Sequence, residues 1–213
     1  MRLRKIKNAK EKLTEFAGLV LFDPNQYKDK WQEEFKNNNP IHLEIGMGKG
    51  QFIARQAELN PKINFIGLEI EDSIILRAAR KISTQSLSNL RLINYNALNL
   101  NELFKEKSVS KIYLNFSDPW PKTRHEKRRL TSDDFLNLYK KVLVEDGIIE
   151  MKTDNRKLFE YSILKFNEHG FKFLDLNLNL HEVENPEIIT TEYEDKFKSL
   201  NQTIYYVQVK IWV

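Results

Sequence analysis

Apolar and polar positions follow no steady period over the first forty residues, which are polar and basic and end on the breaker Asn37-Asn38-Asn39-Pro40. From residue 41 strand and helix patterns alternate. Ile41-His-Leu-Glu-Ile45 reads as a strand entering a turn built on Gly46, Gly48 and Gly50, and Phe52, Ile53, Ala54 and Ala57 then fall at helical spacing. Residues 64–69 form a second strand. Ile74, Ile75, Ala78, Ala79 and Ile82 line one side of a helix whose other side carries Arg77, Arg80 and Lys81. Residues 90–95 and 111–116 read as strands three and four, with a short helix near 99–104 between them. Thr131 and Asp134 have the spacing of a capping box, ahead of a helix with Phe135, Leu138, Tyr139 and Val142 on one face. Residues 147–152 are strand five, and Phe159, Ile163 and Phe166 mark the next helix.

Beyond residue 170 the period becomes two. Leu174, Leu176, Leu178 and Leu180 alternate with Asp175, Asn177 and Asn179, and Val207, Val209, Ile211 and Val213 alternate with Gln208, Lys210 and Trp212. Five β–α alternations followed by two such strands predict an α/β fold over residues 41–213: a seven-stranded, mostly parallel sheet with an antiparallel edge hairpin and helices on both faces. Residues 1–40 are expected to be a basic extension. The connection over 181–202 is of a length usually kept for function.

Composition narrows the chemistry. The chain's 213 residues suffice for one sizeable core, and 41% hydrophobic with 30% charged residues excludes a disordered or low-complexity protein. The absence of cysteine removes disulfides, thiolate metal sites and cysteine nucleophiles, and fits a reducing, cytoplasmic location. No apolar run approaches the ~18 residues that span a bilayer, so no membrane partner is expected. His42, His125, His169 and His181 lack metal-ligand spacing, and no metal is expected. The net charge of +4 conceals two concentrations: residues 1–12 hold six Lys or Arg against one Glu, and residues 122–129 hold five against one. Concentrated cations point to an anionic partner more strongly than a uniformly basic surface would.

Two segments carry the candidate chemistry. Glycines between strand one and its helix let the backbone turn sharply and approach a ligand, but the spacing is G-x-G-x-G and not that of the dinucleotide fingerprint. Glu69, ending strand two, is placed to accept ribose hydroxyls. A nicotinamide cofactor and S-adenosylmethionine both fit this frame. Glu44 favours the second, since a sulfonium and an ammonium suit a nearby carboxylate while a pyrophosphate is repelled by it. Asn96, just past strand three, is placed to meet an adenine. Ser117-Asp118-Pro119-Trp120-Pro121-Lys122 follows strand four at its carboxyl end, where open α/β sheets bind ligands. Two prolines around a tryptophan stiffen the loop, and the cations that follow add phosphate attraction, a combination suited to chemistry on a nucleobase.

With these residues the chain resembles the bacterial tRNA (guanine-N7-)-methyltransferases, the TrmB family, over essentially its whole length. The matching stretches are Glu44-Ile-Gly-Met-Gly-Lys-Gly50, Gly67-Leu-Glu-Ile70, Asn96-Ala97, the run from Ser117 through Asp-Pro-Trp-Pro to Leu130, Lys152-Thr-Asp-Asn155 and Thr191-Glu-Tyr-Glu194. The resemblance implies a class I, Rossmann-like, S-adenosylmethionine-dependent methyltransferase that releases S-adenosylhomocysteine and modifies a variable-region guanine, position 46, of tRNA. It implies that Glu44, Gly46, Gly48, Gly50, Glu69, Asn96 and Asp118 line the cofactor site, with Asp118 catalytic. It places Lys122, Asp154, Thr191, Glu192, Tyr193 and Glu194 at the guanine, and Arg124, His125, Glu126, Lys127, Arg128 and Arg129 against RNA. Monomer and homodimer both remain open. Two rivals stand beside it: an exocyclic-amine methyltransferase of adenine, whose strand-four motif carries proline where Trp120 stands, and an RNA-binding module without catalysis. A nicotinamide-dependent dehydrogenase is a more distant third.

Overall fold

The computed structural model describes residues 4–183, 185–198, 200 and 202–212. Residues 1–3 of the basic arm and Val213 of the last expected strand lie outside the described residues. Eight strands form one sheet: β1 (Val20–Leu21), β2 (Ile41–Ile45), β3 (Asn64–Glu69), β4 (Leu90–Asn94), β5 (Val109–Asn115), β6 (Leu143–Thr153), β7 (Phe171–Asn177) and β8 (Tyr205–Ile211). Their order is β1-β4-β3-β2-β5-β6-β8-β7. Strands β1 to β6 run parallel, and β8 lies antiparallel between β6 and β7.

Seven of these strands are those the pattern predicts. The eighth, β1, comes from the segment ahead of residue 41, where Val20 and Leu21 pair with Leu92 and Ile93 of β4. Two residues are too few to display a period. The same holds for the helices α1 (Ala9–Lys12) and α2 (Trp31–Phe35). Yet Leu13, Val20, Trp31 and Phe35 are all buried. Trp31 stacks on Phe104 at 5.6 Å and its indole N–H donates to the Leu103 carbonyl at 3.0 Å. A segment that is basic in composition therefore supplies anchors to the core.

The remaining helices are α3 (Gln51–Leu59), α4 (Asp72–Ile82), α5 (Leu100–Leu103), α6 (Asp133–Val142), α7 (Arg156–Glu168) and α8 (Glu192–Lys198). Side chains of α1, α3 and α4 share one apolar core with Phe65, Leu90 and Leu92, and those of α2, α5, α6 and α7 share a second with Leu43, Ile112 and Met151. Central strands covered on both faces explain why β3 is buried from Asn64 through Leu68.

Two local expectations are corrected. Thr131 does not cap α6: its hydroxyl pairs with that of Ser162 at 2.7 Å, inside the core, and Ser132 occupies the cap position while donating to the Lys127 carbonyl. The leucine alternation also misplaces its strand. Strand β7 begins at Phe171, a bulge separates Phe173 from Asp175, and Phe171 and Phe173 supply the core contacts. Leu174, Leu176 and Leu178 are exposed instead.

Strand order reverses between β2 and β5, whose carboxyl ends diverge into different faces of the sheet. Such a reversal opens the crevice in which α/β proteins bind ligands. Along this edge, in the order β4, β3, β2, β5, β6, the strands end at Asn96, Glu69, Glu44, Asp118 and Asp154 or within a few residues of them.

Candidate active site at the carboxyl edge of the sheet

Glu44 is the penultimate residue of β2 and is 1% exposed. Its Oε1 accepts from Asn115 Nδ2 at 2.9 Å, while its Oε2 and Asn115 Oδ1 are buried with no partner among the described residues. Burial pushes the Glu44 carboxyl up to about 8; Asn115 and the Lys152 charge pull the other way, and Glu69 adds to the rise. Two acceptor oxygens without donors mark a place where a ligand that brings N–H groups or positive charge completes the bonding. Beyond Glu44 the backbone of Gly46, Gly48 and Gly50 is left-handed, and a Cβ at Gly46 or Gly48 would meet nothing within 4 Å. That open space lets a ligand lie against bare backbone. Gly67 has the opposite reason to be glycine: a Cβ there would stand 2.4 Å from Met47 Sδ, so the turn seats only because β3 lacks a side chain at that point.

Glu69 holds the turn from the next strand. Its Oε2 accepts from Gly48 N at 3.2 Å, and its Oε1 accepts from the amides of Ile70 and Glu71 at 2.9 and 3.3 Å. Burial raises its carboxyl above the usual range, and these amides oppose the rise. Asn96 caps a 3-10 turn through Oδ1, which accepts from Leu98 N at 3.0 Å, leaving its amide nitrogen toward solvent. Sequence reasoning missed two apolar neighbours here. Ile70 and Leu98 follow Glu69 and Asn96 closely and stand exposed at 67% and 45%. Isolated apolar residues after a strand end were the only signal. Carboxylate, open glycine backbone and apolar rim together have the chemistry for an adenosine bearing a cationic tail.

Past β5 the backbone turns twice into the left-handed region at residues other than glycine, Phe116 (φ 51°) and Trp120 (φ 41°). Side chains seldom accept that conformation, and sites of function are where it is found. Asp118 lies between them, exposed, and among the described residues its carboxylate has no hydrogen-bond partner. The loop is held from behind by Arg129, which donates to the carbonyls of Pro119 and Trp120 at 3.2 and 3.1 Å and lies over the Tyr161 ring at 4.3 Å. Arg129 is thus committed to the loop. Arg128 lies over the Trp120 ring at 4.8 Å, and His125 meets the same ring edge-on. Lys122, Arg124, Lys127 and Arg128 are exposed, and Glu126 is half-buried among them.

Helix α8 closes the site from above β2 and β6. Glu192 bridges Lys49 of the glycine turn at 2.9 Å and Lys81 of α4 at 2.8 Å, and Asp195 accepts from Gln51 at 2.8 Å. Tyr193 stacks on Phe197 at 4.2 Å, meets Phe116 at 4.9 Å, and its hydroxyl donates to Asp154 Oδ2 at 3.4 Å. Thr191 and Glu194 form the capping box of this helix: Thr191 Oγ1 accepts from Glu194 N at 2.9 Å, and Glu194 Oε2 accepts from Thr191 N at 3.3 Å. Glu194 is fully buried. The sequence-predicted residues thus gather at one edge, with two set apart by their bonding, Arg129 behind its loop and Glu194 inside the protein.

Residues 38–207 match the family described as "Putative methyltransferase". A tRNA (guanine-N(7)-)-methyltransferase of Bacillus velezensis is 48% identical over 210 residues, covering 99% of this chain and 97% of its own. One from Alkaliphilus oremlandii is 48% identical over 205 residues, covering 96% and 97%. The chain belongs to the tRNA (guanine-N(7)-)-methyltransferase family. Among solved structures it is similar to a 16S rRNA (adenine(1408)-N(1))-methyltransferase from Catenulisporales acidiphilia, with a TM-score of 0.63 at 14% identity over 91% of this chain and 93% of that one. An antibiotic-related methyltransferase superposes with a TM-score of 0.61 at 18% identity, over 99% and 97% of the two chains. At such identities these neighbours share the class I methyltransferase fold. Among the described residues no group of three or more His, Asp or Glu has the arrangement of a metal site, and no helix is long and apolar enough to cross a membrane.

Proposed function

We propose that this protein transfers a methyl group from S-adenosylmethionine to N7 of a variable-region guanine, position 46, in tRNA. The observation that carries the proposal is a juxtaposition at one sheet edge. Among the described residues, a buried carboxylate with an unpartnered oxygen, Glu44, lies one strand away from the exposed, unpartnered carboxylate of Asp118, and Asp118 opens a loop rich in exposed cations. The names of the relatives support the same substrate and atom.

S-adenosylmethionine supplies a methyl carbon on a sulfonium; the purine N7 lone pair bonds to that carbon as the carbon–sulfur bond breaks, leaving S-adenosylhomocysteine. Guanine N7 is an acceptor and carries no proton, so the protein has none to remove. Its work is alignment and charge. Glu44 Oε2 and Asn115 Oδ1 would accept from the ammonium end, Glu69 would hold the ribose, and Ile70 and Leu98 would flank the adenine. Methylation turns a neutral purine into a cation, which the Asp118 carboxylate stabilises by position. Asp154, half-buried and holding among the described residues one long hydrogen bond, accepts from the N1 and N2 edge of guanine. An adenine lacks that donor pair and leaves the carboxylate unpaired. Phe116 and Tyr193 offer an aromatic face for the base. Lys122 stands at the guanine, and Arg124, Lys127 and Arg128 attract phosphates.

The test is incubation with unmodified tRNA and labelled S-adenosylmethionine, followed by digestion to nucleosides. Label in 7-methylguanosine, lost in Asp118→Ala, is expected. Label in a methyladenosine, or tRNA binding without turnover, contradicts the proposal.

A further inference from the structure

Lys152 lies near the end of β6 with its side chain 3% exposed, and Glu194 of α8 is 0% exposed. All three ammonium protons have acceptors: Nζ donates to the Ile189 carbonyl at 2.9 Å and to Glu194 Oε1 and Oε2 at 3.3 and 3.2 Å. Glu194 also bonds His181 Nε2 at 2.7 Å and the Thr191 amide. One carboxylate thereby ties together a central strand, the loop after β7, the turn at 189–191 and the first turn of α8. Each oxygen of Glu194 already makes two hydrogen bonds, and the side chain is 0% exposed. Its neighbour in sequence, Tyr193, faces the other way, toward Phe116 and Asp154. Asp154 follows Lys152 by two residues, so the base-reading carboxylate and the buried cation leave the same strand end.

We infer that Lys152 and Glu194 are positioning residues of the transfer reaction: their buried pair fixes α8, and with it the Tyr193–Phe116 face, against Asp154, which alone reads the guanine edge. This rests on the function proposed above and deepens it, because it removes Glu194 from the base-contacting set to which its motif assigns it. A buried ion pair is seldom the cheapest way to stabilise a fold, whereas a directional pair fixes a register that an apolar contact leaves free to slide. The three-point grip on the ammonium fixes α8 in that way. The exposed bridges of Glu192 to Lys49 and Lys81 are screened by water and add less.

The experiment compares tRNA carrying guanosine with tRNA carrying inosine at the target position, under single turnover. Inosine lacks the exocyclic amine and keeps N7. Glu194→Gln leaves Lys152 buried without a counter-charge, so the double variant Lys152→Met with Glu194→Gln, which buries no charge, is measured beside it. Both are expected to lose methylation of the two tRNAs by the same factor, about a hundredfold for a misplaced face, with the guanosine-to-inosine ratio of the wild type preserved. S-adenosylmethionine affinity of Glu194→Gln stays within about twofold by calorimetry, since Glu44 and the glycine turn are untouched. Asp154→Asn collapses the ratio toward one. If Glu194→Gln equalises the two tRNAs while Asp154→Asn does not, Glu194 reads the base and the inference is overturned. Wild-type rates in the double variant overturn it equally. A wild type inert on both tRNAs removes the proposed function itself, and the inference with it.

Discussion

Glu44 shows how a single side chain can couple a ligand to pH. Its carboxyl is raised from the ordinary range to about 8 by burial, so at neutral pH, with no cation beside it, it is mostly protonated. The unfolded chain binds that proton only below the normal carboxylate pKa. The group therefore favours folding at low pH, and its contribution is lost as pH rises from about 4.5 through about 8. A cationic ligand reverses the preference and expels the proton. S-adenosylmethionine affinity is expected to rise with pH, by roughly tenfold per unit at most, up to about 8, with one proton released per molecule bound. Calorimetry in buffers of different ionisation enthalpy measures that release. Affinity independent of pH between 6 and 8, or no difference between wild type and Glu44→Gln, contradicts this account of Glu44. The basic run divides at the same scale. Arg128→Ala is expected to weaken tRNA binding and lower the salt slope by about one, whereas Arg129→Ala frees the loop that carries Asp118 and lowers turnover. Equal effects of the two on filter-binding affinity and turnover would contradict that division. The places of Glu44, Glu69 and Asp118, at or just past the ends of their strands, were legible in the sequence because the strand pattern fixes them. Arg129 was not, because a cation in a cationic run gives no sign that its donors are spent on the carbonyls of Pro119 and Trp120.

Among the elements, legibility follows length. Helices α3, α4, α6 and α7 and the strands from β2 to β6 carry enough turns or alternations for a period to emerge. Helices α1 and α2 and strand β1 do not, and their burial comes from single anchors that only the tertiary structure reveals. Trp31→Ala removes a ring stacked between Tyr27 and Phe104 and the hydrogen bond to Leu103. It is expected to destabilise the protein by about 3–5 kcal/mol in urea titration. Lys49→Ala, which breaks only an exposed bridge to Glu192, is expected to change stability by less than about 1 kcal/mol. Near-equal values would mean that the segment before residue 41 is appended to the fold and does not anchor it. Strand β7 is displaced from its expected span for another reason. Its bulge shifts the side chains by one position, and a period-2 pattern cannot reveal an inserted residue. Helix α8 lies in a stretch read as a loop, although Thr191 and Glu194 have capping-box spacing, because no apolar period follows them.

For the whole molecule, sheet order decides what meets what. Five strand ends spaced across one edge bring together residues from Glu44 to Asp154 that no local pattern connects, and α8 folds back over the first of them. The basic run over 122–129 belongs to a chain whose residues outside 1–12 and 122–129 carry a net charge of −5. The measurement that bears most directly on this arrangement is strand scission of tRNA at N7-alkylated purines after incubation with S-adenosylmethionine. A single cut at the variable-region guanine, absent with Asp118→Ala and weakened by salt, is the predicted result. Methyl incorporation without any cut, or cuts scattered over many guanines, would contradict it.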